Sequence, residues 1–306
     1  MIRFLLSRLL QGIIVILAVI TITFFLSKMI PGGAIRNEKN VSEETRRQQE
    51  EYYGLNKSWF VQWLLQIEHY ATFNLPESYH FKGRYVDEII ASGLPVSASV
   101  GGLALLIAIG IGVPIGAYAA LRPHTLEDKA AMLASTVGIC MPTMISGPLI
   151  ALAFGLKLRW FNASGWMDND DVILPALTLG IIYSAYLARL TRGSLRETLS
   201  QEFVRTARAK GASEFAVVLC HALKLAFLPV LNFLGPAAAG LLTGSFVVES
   251  VFQLPGLGQF FISAAQNGDH QLTIGLSVFY ASLIVLFNLL VDILQAWLNP
   301  RIRLHA

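Results

Sequence analysis

The chain has 306 residues, of which 54% are hydrophobic and 14% are charged, and its formal net charge is +3. Soluble domains usually carry about 25% charged residues, so this composition excludes an ordinary soluble enzyme. The apolar residues stand in long uncharged runs and not in short alternating segments, which predicts membrane helices and not a β-barrel.

Six uncharged runs reach or approach the ~20 residues with which a helix crosses a hydrocarbon core of ~30 Å. They cover residues 9–27, 94–121, 130–156, 172–188, 225–248 and 270–291. Arg3 and Arg8 before the first run resemble the start of a signal peptide. However, the run is too long for one, and no small-x-small cleavage site follows before Pro31. The sequence therefore predicts an all-α membrane protein with six transmembrane helices and a retained first span.

Residues 31–93 separate the first two spans and combine mixed charge with aromatic residues. Within them, the polar stretch 42–51 and the amphipathic stretch 59–70 predict two helices. Because a connection of this length with periodic apolar positions is rarely a flexible linker, we expect a small folded cap.

Lys and Arg in the connections predict the orientation, because these residues concentrate on the cytoplasmic side of a membrane. The basic connections are the N-terminal residues, the loop after span two, residues 191–224 and the C-terminal tail, whereas the loop after span five has no Lys or Arg. We therefore expect both termini in the cytoplasm. The predicted organisation is a tail with span one at 1–30, an external segment at 31–93, a transmembrane core at 94–298 and a cytoplasmic tail at 299–306.

The most basic connection, residues 191–224, has its own helix signals. Ser194-x-x-Glu197 predicts a capping box that opens a helix, Gly211 is placed to end that helix, and Ser213 is placed to cap a second one. A helix, a glycine and a second helix on the basic side of the membrane suggest a docking element.

Two kinds of residue within or near the spans carry structural predictions. The G-x-x-x-G pairs at residues 112–116 and 240–244 predict places where helices approach closely. The ionisable residues near the membrane interior are Lys28, Glu249 and Asp292. Each lies near a predicted span end, where snorkelling or an interfacial partner accounts for the charge. No chain of acids crosses the spans, which argues against a proton relay.

Catalytic motifs are absent from the sequence. It contains no phosphate-binding loop of the G-x-x-x-x-G-K-[ST] type and no H-E-x-x-H, G-x-S-x-G or C-x-x-C motif. The six histidines are scattered, and we interpret His221 as a surface or packing residue. Cys140 and Cys220 are expected in different compartments, which argues against a disulfide. Chemical energy, if it drives this protein, is therefore expected from another subunit.

A family signature lies in the basic connection. Its residues are Phe203-Val204-Arg205-Thr206-Ala207-Arg208-Ala209-Lys210-Gly211, then His221-Ala222-Leu223-Lys224 and Leu228-Pro229. This pattern resembles the permease signature of ABC importers, in the variant of the oligopeptide/dipeptide/nickel transport family. The general motif reads Glu-Ala-Ala, three residues and Gly; here Arg205-Thr206-Ala207 takes the first three places without the acid.

Further stretches resemble the first, oligopeptide-type permease of that family's pair. They are residues 249–258 (Glu-Ser-Val-Phe-Gln-Leu-Pro-Gly-Leu-Gly), Asn299-Pro300-Arg301, Tyr53-Gly54-Leu55-Asn56, Gln62 and Leu94-Pro95. One stretch departs from the family pattern, since Phe73-Asn74-Leu75-Pro76 stands where a Gly-Asp-apolar-Gly sequence is common. This departure concerns details of the external segment.

The resemblance implies the type I ABC importer permease fold in the bacterial cytoplasmic (inner) membrane. It also implies partners: a paralogous permease, two ABC ATPase subunits and an extracytoplasmic solute-binding protein, with lipid contacts and no nucleic acid. ATP and Mg would be bound by the ATPases, and this chain would hold no cofactor, no metal and no catalytic residue. The substrate pathway would run between this subunit and its paralogue, lined by spans two, three and five.

The resemblance also assigns two groups of site residues. Residues 201–211 would be the coupling helix, and the residues that meet the ATPase would be Arg205, Thr206, Ala207, Arg208, Lys210 and Gly211. Residues 31–93 and 253–270 would meet the binding protein, and the external turn would consist of Glu249, Pro255, Gly256 and Gly258.

Several alternatives remain open. Peptides are the expected cargo, while nickel chelates, glutathione and oligosaccharides use similar permeases. A stand-alone channel or secondary transporter would need an internal repeat or an intramembrane ion site. An intramembrane enzyme would need a nucleophile–base or metal constellation. The sequence shows no internal repeat, no intramembrane ion site and no such constellation.

Overall fold

The computed structural model describes residues 2–29 and 43–298, which form helices joined by short connections. The predictions for residues 31–42 and for Asn299-Pro300-Arg301 lie outside these residues. After α1 (Ile2–Met29) come α2 (Glu43–Tyr52) and α3 (Trp59–Ala71). Both short helices begin and end within one residue of the predicted stretches, so their prediction is confirmed.

The remaining helices belong to the core of the protein. They are α4 (Val86–Leu121), α5 (Leu126–Cys140), α6 (Thr143–Ile150), α7 (Ile173–Leu199), α8 (Glu202–Ala209), α9 (Glu214–Ala216), α10 (Leu223–Leu242), α11 (Phe246–Phe252), α12 (Leu257–Gln266) and α13 (His270–Leu298). α6 continues as a π-helix to Lys157, and a π-helical stretch joins α9 to α10.

Five of the described helical segments are long and apolar enough to cross a membrane: Leu6–Met29, Val86–Leu121, Asn169–Leu199, Glu214–Leu242 and His270–Leu298. A further pair, Leu126–Cys140 and Thr143–Lys157, passes the same test together but bends by 103° at its junction. Counted as one span, this pair brings the number of membrane helices to six, the number that the sequence predicts.

The third span, which the sequence predicts over residues 130–156, is broken at Pro142. Met141 adopts extended backbone (φ −81°, ψ 115°) ahead of Pro142. Proline has no N–H to donate and disfavours helical backbone at the residue before it, so the helix ends there and a new one begins. The run 130–156 therefore forms two helical halves that meet at a bend.

The fourth and fifth spans have different ends from those predicted. α7 runs through Ser194, whose Oγ donates to the Leu190 carbonyl at 3.0 Å, so the predicted capping box at Ser194-x-x-Glu197 is wrong. A serine inside a helix bonds back to the preceding turn instead of capping a new one. The fifth span ends at Leu242 and not at Val248, because Gly244 (φ +91°) turns the chain before α11.

Helices α4 and α7 pack closely along their lengths. A Cβ added at Gly112 would lie 2.5 Å from the Ser184 carbonyl oxygen, and one at Gly116 would overlap the Ala188 carbonyl. The predicted close approach at residues 112–116 is confirmed. The pair at 240–244 does not act in this way, because Gly240 faces open space and Gly244 lies in the turn after α10.

The segment between α1 and α4 is folded onto the helix bundle over its described part. Trp63 of α3 donates through Nε1 to Thr21 Oγ1 of α1 at 3.1 Å. The buried Asp269 accepts hydrogen bonds from the backbone N–H groups of His80 and Leu272, each at 3.0 Å, and from the Ser78 hydroxyl. For residues 43–85 the prediction of a folded cap is therefore confirmed.

α4 starts earlier than its predicted span. The Tyr85 N–H donates to the Glu88 carboxylate at 3.1 Å, and Asp87 and Glu88 add negative charge to the first turn. The helix therefore begins at Val86, inside the predicted external segment. One end of the bundle thus carries α3, α12 and the start of α4, which we name the cap end. The opposite end carries α8.

Candidate functional site

Residues 201–211 form a short helix that ends at a glycine. α8 follows Gln201, which has extended backbone. At its other end Gly211 adopts φ +83°, and its N–H donates to the Arg208 carbonyl at 2.9 Å. A side chain at this position would have open space but strained backbone, so glycine is favoured here by conformation. The prediction that Gly211 ends this helix is confirmed.

α8 turns one face to its own chain and the other outward. Val204 is fully buried in a small apolar cluster with Leu195 of α7 and with Val217 and Ala222 from the start of the fifth span. Ala207 packs at the edge of this cluster. The other residues of the predicted coupling group are exposed: Arg205, Thr206, Arg208, Lys210 and Gly211. The motif is thus anchored through Val204 and presented on the surface.

Arg208 has an ion-pair partner within this chain. Its guanidinium donates to both carboxylate oxygens of Glu214, at 2.7 and 3.1 Å. Beside this pair, Ser213 Oγ accepts from the Ala216 N–H at 3.3 Å, which confirms the predicted cap of the second helix. The pair ties α8 to α9 across the glycine turn.

A second ion pair at this end joins α7 to α5. The Arg192 guanidinium donates to both oxygens of Asp128, and its Nη2–Oδ2 bond is 2.7 Å long. Asp128 is 2% exposed and also accepts from the His124 N–H at 3.0 Å. Such a bidentate, charge-assisted contact is among the stronger hydrogen-bonded pairs. We name it the Asp128–Arg192 clamp.

The sequence interpretation missed the clamp, because it treated Arg189, Arg192 and Arg196 only as orientation signals. Arg189, Arg192 and Arg196 are spaced three and four residues apart, which places them on one face of a helix. On that face Arg189 donates to Thr136, and Arg196 meets the His124 ring at 2.9 Å. The spacing becomes informative only once α7 is known to continue to Leu199.

At the cap end, Glu249 of α11 lies under the turn that follows it. Its side chain is 1% exposed; Oε1 accepts from Ser97 Oγ at 2.7 Å, and Oε2 accepts from the Gln259 N–H at 3.1 Å. Ser97 Oγ in turn accepts from the Leu257 N–H at 2.8 Å. Burial raises the pKa of the Glu249 carboxyl, while the donors from Ser97, Gln259 and Gly258 oppose that shift. We name this arrangement the Glu249 cage.

Glycines close the Glu249 cage. A Cβ at Gly256 would lie 2.5 Å from the Glu249 carboxyl carbon, and one at Gly258 would lie 2.7 Å from the Phe246 Cα. Of the four residues of the predicted external turn, Pro255 is exposed, while Glu249, Gly256 and Gly258 are buried. The structure brings all four together. Only Pro255 among them is placed to touch another molecule.

The charges near the predicted span ends have different surroundings. Snorkelling does not account for Glu249, because its carboxylate is enclosed by protein. Asp292 pairs with Arg8 at 2.9 Å, which joins α13 to α1. The Lys28 ammonium donates to Gln62 of α3 and lies over the Phe24 ring. Interfacial partners therefore explain Lys28 and Asp292, as the sequence predicted.

The described part of the chain holds no group of three or more His, Cys, Asp or Glu side chains that could bind a metal ion. Cys140 and Cys220 are both free and exposed. His221 is exposed as well, in line with its interpretation as a surface residue. The candidate site, in the residues described, is accordingly built from ion pairs, hydrogen bonds and packing contacts.

Residues 112–304 match the family described as "binding-protein-dependent transport system inner membrane component". Matches to individual proteins cover nearly the whole chain. The oligopeptide transport system permease protein OppB of Haemophilus influenzae is 39% identical over 305 residues, 99% of this chain and 100% of that protein. OppB of Escherichia coli K12 is 37% identical with the same coverage. The dipeptide transport system permease protein DppB of Bacillus subtilis is 35% identical, over 100% of this chain and 99% of that protein.

The chain belongs to this family of transport permeases. It is therefore a multi-pass inner membrane protein with the type I permease fold and a subunit of a binding-protein-dependent transporter. The matched residues include α8, the Asp128–Arg192 clamp and the Glu249 cage apart from Ser97.

Proposed function

We propose that this chain is the transmembrane permease subunit of an ATP-driven importer that carries peptides across the inner membrane. The observation that carries the proposal is α8, a short basic helix that is anchored by Val204 and exposed on its other face. Two ABC ATPase subunits would supply the ATP and Mg sites. A paralogous permease would supply the other half of the pathway, and an extracytoplasmic binding protein would deliver the cargo.

In this proposal residues 201–211 are the coupling helix. Arg205 and Lys210 make no ion pair with the residues that the structure describes, so their charges are available for acids on an ATPase surface. Ala207 and Gly211 are small and allow close approach of a partner backbone. Closure of the ATPases on ATP would displace α8, and the Val204 cluster would pass that displacement to α7 and to the fifth span.

We also propose the orientation that follows from this assignment. The α8 end faces the cytoplasm together with both termini, since the basic connections lie there. The cap end then faces outward, and its exposed surface would meet the binding protein through residues 43–85 and the loop at Pro255. The pathway would pass between this chain and its paralogue along spans two, three and five.

Peptides are the favoured cargo because the relatives reported above are oligopeptide and dipeptide permeases, and this chain matches them along nearly their full length. Nickel chelates, glutathione and oligosaccharides are the alternatives. The uncharged runs that predict the spans hold no cluster of charge, which suits a pathway that accepts peptides of varied side chains. A stand-alone channel would leave the exposed, anchored α8 without a role.

The test is reconstitution. The chain would be purified with its partner subunits, placed in vesicles with ATP at the ATPase face, and supplied with binding protein and labelled tri-alanine on the other face. We expect uptake that needs both ATP and the binding protein. Uptake without ATP would contradict the importer assignment. ATP-dependent uptake of glutathione or a nickel chelate in place of tri-alanine would contradict the cargo.

A further inference from the structure

The two halves of the broken third span are attached to different parts of the protein. α5, the half near the α8 end, lies along α7, where a Cβ at Gly138 would be 3.0 Å from the Ala185 Cβ. α6, the other half, lies against α11, where a Cβ at Gly147 would be 3.2 Å from Val251. Ile150 of α6 also packs against the cluster that contains Leu174 and Leu179, near the start of α7. The two halves meet at 103°, so α5 lies along the part of α7 that carries Arg192, whereas α6 lies near the cap end.

The most deeply buried side chains of α5 are polar. Its buried residues are Asp128 and Ser135, and its apolar side chains Leu133 and Val137 are 67% and 52% exposed. A helix with so little buried apolar surface is not held in place by a hydrophobic core of its own chain. Its position relative to α7 therefore depends on the polar contacts between the two helices.

The Asp128–Arg192 clamp is the strongest of these contacts. Both carboxylate oxygens are bound by the guanidinium, and the arginine side chain is 22% exposed. A fork of two parallel hydrogen bonds fixes direction as well as distance, which resists sliding of one helix along the other. Thr136 adds a second contact through Arg189, nearer to the break.

The clamp lies one helical turn from the anchor of α8. Leu195 follows Arg192 by three residues on α7 and is fully buried in the cluster that also encloses Val204. Packed side chains and hydrogen bonds thus run without interruption from α8 through α7 to α5. Coupling between distant sites is carried by such contiguous contacts when the elements they join have two arrangements.

We propose that Asp128 is a positioning residue of the transport cycle, which acts through Arg192 to make the inner half of the broken third span follow the coupling helix. This rests on the proposed function, because it takes α8 as the part that the ATPases move. When the clamp is intact, displacement of α8 carries α5 with it and opens or closes the pathway at the break. When it is lost, ATP is hydrolysed but α5 lags behind.

The main variant is Asp128→Asn. Asparagine keeps a side-chain oxygen that can accept from the His124 N–H, while it removes the charge that Arg192 holds. The complete transporter would be reconstituted with its binding protein, and ATP hydrolysis and uptake of labelled tri-alanine would be measured on the same vesicles. We expect the tri-alanine carried per ATP to fall at least tenfold, with ATP hydrolysis within twofold of the unmodified complex.

Two further variants separate positioning from general stability. Arg192→Lys keeps the charge but loses the fork, so an intermediate fall in tri-alanine per ATP is expected. Asp292→Asn is the matched control, because it breaks the ion pair with Arg8 between α1 and α13, at the same end of the bundle but away from α7. Its tri-alanine per ATP should equal that of the unmodified complex.

Three results would overturn the proposal. The first is an unchanged ratio of tri-alanine carried to ATP hydrolysed in Asp128→Asn. The second is an equal fall of this ratio in Asp292→Asn. The third, if Asp128→Asn does not assemble, is an unchanged ratio in Arg192→Lys.

A complex that hydrolyses ATP but carries no tri-alanine contradicts the peptide cargo and not the clamp. The clamp is then decided by spin labels at Leu133 and Phe215 in a chain with both cysteines replaced by alanine. In the chain with an intact clamp, the distance between the two labels should be the same before and after trapping with ATP and vanadate. In Asp128→Asn, trapping should change this distance. Any other result overturns the clamp.

Discussion

Each end of the helix bundle buries a carboxylate, and the two ends stabilise it by different means. Near α8, Asp128 is bound by the charged fork of Arg192. At the cap end, Glu249 is bound by the Ser97 hydroxyl and by backbone N–H groups, with no cationic partner among the described residues. The arginine fork links the side chains of two separate helices, α5 and α7, whereas the donors around Glu249 hold its carboxylate within the turn that follows α11. The comparison indicates a contact that makes two helices move together at the α8 end and a closed turn at the cap end.

The difference extends to the residues around each carboxylate. Glycines enclose Glu249 so tightly that no side chain fits at Gly256 or Gly258. The cluster around Val204 is built of alanine, valine and leucine, and α8 outside it is exposed. Substitutions at the cap end should therefore act first on folding, and those at the α8 end should act first on coupling.

The largest expected effect is at Gly258. Gly258→Ala would press a methyl group against the Phe246 backbone, which cannot move without opening the Glu249 cage, and we expect a loss of about 3 kcal/mol. The yield of folded protein and its melting temperature in detergent check this. Gly102→Ala is the control, since that glycine has open space around it. Equal melting temperatures for both variants would mean that the cage is not rigid.

The next effect is on coupling. Gly211→Asp places a side chain at a position with φ +83° on the exposed face of α8, where it adds bulk and negative charge to the proposed ATPase contact. We expect the protein to reach the membrane in normal amounts, while uptake per ATP falls at least tenfold. Gly193→Asp, which adds the same charge on an exposed part of α7, should leave that ratio unchanged. Near-normal transport by Gly211→Asp would remove the coupling assignment.

Glu249→Ala should have a smaller effect, on stability. It leaves the Ser97 hydroxyl and the Gln259 N–H buried without an acceptor, which costs about 2 kcal/mol. Glu249→Gln keeps one acceptor oxygen and should lose roughly half as much. Thermal unfolding of the purified chain at one pH distinguishes the two variants. If the alanine variant is as stable as the unmodified chain, the carboxylate does not hold the turn.

The smallest effect is expected from Glu214→Gln. The Arg208–Glu214 pair is exposed on both sides, and exposed pairs contribute little because water and salt screen them. The melting temperature should be unchanged within error, at low and at high salt. A clear destabilisation would show that the two ends of the bundle do not differ in the way proposed.

The helices between the first two spans were predictable because their apolar residues recur at helical spacing over a short, bounded stretch. Span number was predictable because uncharged runs mark the hydrocarbon core. The sequence places Pro142 inside the third span but leaves open whether the helix breaks there, since proline is common in membrane helices and does not by itself end one. The length of α7 was missed because the arginines after residue 188 were taken to end the helix. In the structure the helix continues through them, with the arginines on one face that packs against α5.

The candidate site likewise has a part that the sequence predicts and a part that it does not. The motif at 203–211 and the glycine that ends α8 follow from local residue order, so the sequence by itself determined them. It also determined the class of protein, because composition and uncharged runs are properties of the chain alone. The pairing of Asp128 with Arg192 and the burial of Glu249 join residues 64 and more than 150 positions apart. Such contacts depend on how helices pack and on which glycines allow close approach, and only the tertiary structure decided them.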